Sequence, residues 1–254
     1  MIYLYGLLEP GVTIDQGALT ALDGVTGAIE TTDLGVASLV HGPAESDDIL
    51  PRRRHLLAHA RVLEELTGTA AILPMRFGMV AADLGAVANA LSAQSKHLAT
   101  QFETVRGCAE YGIRVRFPRE AALAATVAAD AALGAERARL LSNTRTGRMQ
   151  AADFGRWLAE ALDRRRAATQ RSLVSALAPD FAASVLRTPE DDVEALAVDA
   201  LVHQSRADTL GPRIEALARA SAFAPGSEPQ VSIVGPGPAY SFVRLSLDIA
   251  RQAA

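Results

Sequence analysis

Glu110-Tyr111-Gly112-Ile113-Arg114-Val115-Arg116-Phe117-Pro118 is the stretch on which the fold turns. Larger apolar side chains recur at every second position, the period of a strand, and Pro118 closes it because proline has no N–H to give to a ladder. The chain differs on its two sides. Upstream, Ile2 to Leu8 is rich in aromatic and branched residues and stops at Glu9-Pro10-Gly11, as a buried first strand should. Two short runs, Val25 to Glu30 and Leu34 to His41, flank Thr31-Thr32-Asp33, a spacing that suits a hairpin or a pair of β segments. Ser46-Asp47-Asp48 reads as a cap for a helix carrying Leu56, Ala60 and Leu63 and ending at Gly68. Ala70 to Leu73 reads as a strand, and one helical stretch runs from Asp83 past Leu98 to Phe102. The order is close to a ferredoxin-like sheet with helices on one face, and it predicts a first domain over residues 1–118.

Downstream, Arg119 to Ala178 is dense in Ala, Leu, Arg and Glu and poor in β-branched residues, which predicts long helices. The polar Ser142-Asn143-Thr144-Arg145-Thr146-Gly147 either kinks one helix or separates two, and the sequence leaves both open. Phe181 to Leu186 and Val193 to Val202 are short apolar segments; the second alternates like a strand, with a helix as its alternative. Leu210, Ile214 and Leu217 mark a helix despite Gly211-Pro212. Val231 to Val234 resumes strand character, and Val243, Leu245 and Leu247 alternate once more. Residues 119–254 are therefore expected to form a second α+β domain with a long helical segment.

The chain has 254 residues, 49% apolar, enough for a substantial core. Its 25 basic and 29 acidic residues give a net charge of -4, which argues against a surface built to neutralise nucleic-acid phosphates or anionic lipid. No uninterrupted apolar run approaches the roughly 18 residues a membrane span needs, and the first residues lack the basic leader of a signal peptide. A single cysteine, Cys108, excludes an internal disulfide framework. The expected compartment is the cytoplasm.

His55 and His59 share the i, i+4 spacing of a metal pair, but no third ligand stands near, and two partly exposed helix histidines is the plainer expectation. Arg52-Arg53-Arg54 and Arg164-Arg165-Arg166 could grip phosphate or an acidic partner; solvated faces with ion pairs to residues such as Glu64 or Asp163 are the expected arrangement. Asp47-Asp48 and Asp191-Asp192 read as caps rather than acid–base pairs. Dinucleotide-binding, phosphate-loop and nucleophile-elbow motifs are absent, and no cofactor is called for.

Two motifs stand out. In Leu73-Pro74-Met75-Arg76-Phe77-Gly78 an arginine sits between two apolar side chains beside a glycine that permits a tight backbone, and its fork of donors needs a partner: backbone carbonyls of its own fold or an interface. Gly235-Pro236-Gly237-Pro238-Ala239-Tyr240-Ser241-Phe242 is a stiff, extended segment followed by two aromatics. It either packs the domains together or forms a binding edge.

With the opening Tyr3-Leu4-Tyr5-Gly6 strand and the strand from Glu110 to Val115, these motifs give the whole chain a resemblance to the gas vesicle protein F/L family. One departure is visible: Gly237 stands where the family usually has tryptophan, and Ala239 replaces a proline. The resemblance carries over Gly235, Pro236, Pro238, Tyr240, Ser241 and Phe242, with Leu73, Pro74, Arg76, Phe77, Gly78 and Glu110, as motif or interface residues. It implies a ferredoxin-like N-terminal domain and an α+β C-terminal domain with long coiled-coil-like helices. It also implies an accessory or minor structural protein of gas vesicle assembly that contacts the hydrophobic shell subunit and other gas vesicle proteins. The competing readings are a small-molecule-binding regulatory module and an enzyme on a ferredoxin-like fold, for which Arg76, Glu110 and Tyr240 would be the residues to test.

Overall fold

The computed structural model describes residues 1–14, 19, 27–46, 49–142 and 148–247. The opening strand β1 (Ile2–Leu8) is buried along almost its whole length and organises the first sheet. It pairs antiparallel with β3 (Ser38–Pro43), with β4 (Ile72–Pro74) and, at its start, with β5 (Val80–Ala81); β2 (Glu30–Asp33) pairs with β3, giving the order β2-β3-β1-β4. Leu7 lies opposite both Leu39 and Leu73, and a register shift between Leu4 and Gly6 marks an irregularity in β1. Helix α1 (Arg53–Thr67) turns Val62, Leu63 and Leu66 onto a core that contains Tyr3, Tyr5, Leu8, Val40 and Ile72. Helices α2 (Leu84–Ser92) and α3 (Ser95–Val105) follow before β6 (Cys108–Arg116).

Buried and half-buried positions alternate strictly along β6, as its sequence predicts. It is a central strand of a second sheet, ordered β7-β8-β6-β9, with β7 (Ala183–Leu186), β8 (Glu194–His203) and β9 (Gln230–Gly237). The alanine-rich region forms α4 (Arg119–Ala129), α5 (Ala131–Ser142) and α6 (Arg148–Leu177), which pack on one another. The 30 residues of α6 span about 45 Å. Helix α7 (Ala207–Arg219) buries Leu210, Ile214 and Ala218 and keeps Pro212 inside it.

Two compact units result. One comprises Met1–Tyr111, Leu201–Gln204 and the chain from Gly235 on; the other comprises Gly112–Ala200 and Ser205–Val234. The architecture is α+β, with a ferredoxin-like antiparallel sheet in the first unit and long helices in the second.

Several elements fall elsewhere than expected. Thr31, Thr32 and Asp33 are not the hairpin connection but β2 itself; the turn is Leu34–Ala37, closed by Leu34 N–H donating to Ala37 O (2.9 Å) and by Gly35 N–H donating to Asp33 Oδ1 (2.9 Å). Gly35, at φ 82°, supplies the left-handed conformation that this turn needs. Val25 and Thr26 lie outside the described residues. The expected helix over 83–102 is two helices separated at Ala93–Gln94. Helix α1 begins at Arg53 with Arg52 as an N-cap that gives no side-chain bond, so Ser46 does not cap it; Asp47 and Asp48 lie outside the described residues. The kink or separation left open at 142–147 falls on 143–147, which lie outside the described residues; α5 is described to Ser142 and α6 from Arg148. The strand reading of Val193 to Val202 holds, whereas Val243 to Leu247 forms no strand.

Candidate functional site

Tyr3 and Tyr5, two residues apart on β1, face the same way, and α1 lays His59 against them. The imidazole stacks on Tyr5 (centroids 5.6 Å apart, 16° between planes) and meets Tyr3 edge-on at 5.7 Å. Phe77 closes the cluster, edge-on to both His59 (5.8 Å) and Tyr3 (6.2 Å). The hydrogen bonds assign the protons. Met75 O can only accept, so Nε2 carries the ring proton and donates to it (3.0 Å); the neutral ring's Nδ1 then accepts from the Tyr3 hydroxyl (2.8 Å), whose oxygen accepts from Gly78 N–H (3.2 Å). Tyr240, far along the chain, brings its hydroxyl to 3.2 Å from His59 Nε2 and donates to the same Met75 carbonyl at 3.4 Å.

The network favours neutral groups. Burial lowers the His59 pKa, and the bond to Met75 O offsets only part of that. Burial pushes Tyr3 well above the ordinary phenol value, with the amide of Gly78 acting against it, and Tyr240 up to about 12, with Glu64 adding to the rise. His55 and His59 are both buried, not partly exposed as their sequence suggests. They point into the fold because α1 presents that face to β1, and the described residues hold no cluster of three or more His, Cys, Asp or Glu able to ligate a metal.

The C-terminal motif is tied down by Glu110. Its carboxylate accepts from Ser241 N–H (2.8 Å) and from Ser241 Oγ (2.6 Å). Gly235, at φ 141°, passes so close to β6 that a Cβ would lie 2.6 Å from Glu110 O, and Pro236 follows in a cis peptide. At Gly237 the nearest atom to an added Cβ is Glu110 O at 3.8 Å, so the tryptophan of the family pattern is not excluded by space at the backbone. Pro238 O accepts from Tyr240 N–H (2.8 Å), and Phe242 is half-buried. Beyond, Gln94 donates to Ser246 O and His97 to Arg244 O, each at 2.8 Å, while Arg244 N–H donates to Gln101 Oε1 at 2.7 Å. These side chains claim the backbone groups a strand over Val243–Leu247 would need.

Among the residues singled out from sequence, Leu73 and Pro74 are buried core, Gly78 (φ 84°) serves as a turn, and Phe77 packs on the aromatic cluster. Glu110, Tyr240 and Ser241 meet their partners inside the first unit. Arg76 is exposed and its guanidinium has no partner among the described residues. The basic run Arg164–Arg166 divides: Arg166 pairs with Asp163, while Arg165 donates to Ala222 O (2.6 Å) and Phe223 O (3.0 Å). Asp191 Oδ1 accepts from Val193 N–H (3.0 Å) and Glu194 N–H (2.9 Å), the capping role expected of it. Sequence reading missed His59 as the hub, since its partners lie up to 181 residues away.

This fold and site define an α+β protein in which the marked residues of the C-terminal motif bind the chain to itself, while Arg76 stands between two packed neighbours with no partner among the described residues. Residues 1–244 match the family described as Gas vesicle synthesis protein GvpL/GvpF, and the chain belongs to that family. It is 30% identical over 209 residues to Gas vesicle protein F of Streptomyces sp. (strain CB03234), covering 82% of this chain and 84% of that protein. The crystal structure of GvpF from Anabaena sp. PCC7120 superposes with a TM-score of 0.80 at 19% identity, over 96% of this chain and 98% of that one. GvpF from Microcystis aeruginosa gives 0.73 at 19% identity, over 96% and 99%. At these identities the two crystal structures speak for the fold; the family match carries the gas vesicle role.

Proposed function

We propose that this chain is a non-enzymatic accessory or minor structural protein of gas vesicle assembly, acting in the cytoplasm and at the vesicle by binding the hydrophobic shell subunit and other gas vesicle proteins. The observation that carries the reading beyond family membership is Arg76. It is held on a connection whose neighbours are fixed: Met75 O accepts two hydrogen bonds, Phe77 packs on Tyr3 and His59, and Gly78 is bonded to Tyr3. A rigid mount that leaves five guanidinium donors in water suits a partner's carboxylates or backbone carbonyls. A subunit with apolar surface exposed before polymerisation would gain protection from aggregation by docking there. The test is copurification of the tagged full chain with coexpressed shell subunit. Retention by the parent and loss in Arg76→Glu, with an unchanged melting curve, supports the proposal; equal retention removes Arg76 from the contact, and no retention by the parent sinks the binding claim.

A further inference from the structure

Helix α1 carries its charges in the order that its own dipole disfavours. Arg52, Arg53 and Arg54 crowd the N-terminal end, where no acidic residue occupies the first turn, and Glu64 and Glu65 lie near the C-terminal end, where no basic residue occupies the last. The three arginines, Leu57, Arg61 and both glutamates are all exposed, although the opposite face is buried against the sheet. At about 100° per residue, Arg53, Leu57, Arg61 and Glu64 fall in one outward stripe, with Arg54 and Glu65 flanking it. Among the described residues none of Arg52, Arg53, Arg61, Glu64 or Glu65 enters an ion pair, whereas eleven other arginines do. Leu57 is 49% exposed in the middle of the stripe and Leu50, ahead of the helix, 54%.

A stripe that is basic at one end, apolar at its centre and acidic at the other is complementary to itself when turned end for end. We infer that α1 is a self-association surface, on which a second copy of this chain packs its own α1 antiparallel across a two-fold axis. Arg53 and Arg54 of each copy then face Glu64 and Glu65 of the other, and the two Leu57 side chains meet near the axis, each lying along the other copy's Arg61 stem. The layout that opposes the helix dipole within one copy is repaired between two, which is the reason to assign a second copy rather than an acidic partner: an acidic partner would match the arginines and repel the glutamates. The pairing is independent of shell-subunit binding. With one helix face per copy it is a small contact, so the dimer is weak and dissociates as salt rises.

Sedimentation of the purified full chain over a range of concentrations tests this, with two charge-reversed variants, Arg53→Glu with Arg54→Glu, and Glu64→Arg with Glu65→Arg. The parent should move from monomer toward dimer with concentration, and each variant alone should stay monomeric under the same conditions. An equal mixture should restore the dimer, because one variant then carries acidic residues at both ends of the stripe and the other basic residues at both ends. Both substitutions put charges where the helix dipole favours them, so neither melting curve should fall, which separates loss of the interface from loss of the fold. A parent that stays monomeric throughout, variants that still dimerise alone, or a mixture that does not recover the dimer overturns the proposal.

Discussion

His59 shows how one side chain joins three parts of the chain: its nitrogens serve Tyr3 on β1 and Met75 after β4, with Tyr240 from the C-terminal motif beside them. Unfolded, it titrates near its ordinary value of about 6.5; folded, burial holds its pKa lower. In that interval the unfolded chain binds more protons, so this contribution is complete above about pH 6.5 and declines as the pH falls toward the folded value. His41, lowered by burial with Glu30 opposing, acts in the same direction. Melting temperature should therefore drop between about pH 7.5 and about pH 5.5, and the drop should be shallower in His59→Gln. Parallel pH profiles for parent and variant would remove His59 from the account. Two glycines give a second contrast at this scale. Gly235→Ala forces a Cβ against Glu110 O from a φ of 141° and should cost about 2 kcal/mol or more, read by denaturant unfolding. Gly237→Trp meets nothing closer than 3.8 Å at its Cβ and should leave stability unchanged or raise it; a loss as large as that of Gly235→Ala would show that the departure from the family pattern is enforced by packing.

The elements that the sequence made legible are those whose signal is local. Alternation in β6 follows from which face the strand covers and is found as read; α1 is found as a helix, but of Leu56, Ala60 and Leu63 only Leu63 is buried, because the covered face is the one that carries His55, His59, Val62 and Leu66. Where a distant contact decides, local reading fails. Ala93–Gln94 carries neither proline nor glycine, yet it separates α2 from α3, and Gln94 there donates to Ser246 O across 152 residues. The hairpin was misplaced by three residues because Thr31-Thr32-Asp33 has turn-like composition, while the residue able to supply a positive φ is Gly35. The site was legible as motifs but not as contacts: Glu110 and Ser241 were both marked, and only the fold shows that one holds the other. That pair also sets a prediction for the segment it anchors. Glu110→Ala leaves Ser241 without its charge-assisted bonds and should cost about 1.5–3 kcal/mol, with protease cleavage appearing first between Tyr240 and Leu247. Cleavage distributed as in the parent would mean that Gln94, His97 and Gln101 hold the segment by themselves.

For the whole molecule, chain order and spatial organisation part company. The limit proposed from composition lies at Pro118, where strand-rich sequence gives way to helix, yet the first compact unit reclaims Leu201–Gln204 and the chain from Gly235 on. Composition reports which elements a segment forms and not which sheet receives them, so a strand such as β9 is invisible as a partner of β6 until the topology is known. The consequence can be checked by cutting the chain at Pro118 and producing residues 1–118 and 119–254 together. Piece 1–118 carries β6, whose neighbours β8 and β9 are both on the other piece, and it carries Glu110 and His59, whose partners Ser241 and Tyr240 are there as well. Each piece alone leaves a strand edge or a buried polar group without its complement, a cost that association removes. The pieces should therefore copurify as a one-to-one complex with the helix content of the intact chain, and Glu110→Ala in the first piece should weaken that complex while leaving its stoichiometry unchanged. Two pieces that fold and stay apart would instead make Pro118 a boundary between self-sufficient domains, and would mean that the β6 ladder and the Glu110–Ser241 pair add little to what each half holds by itself.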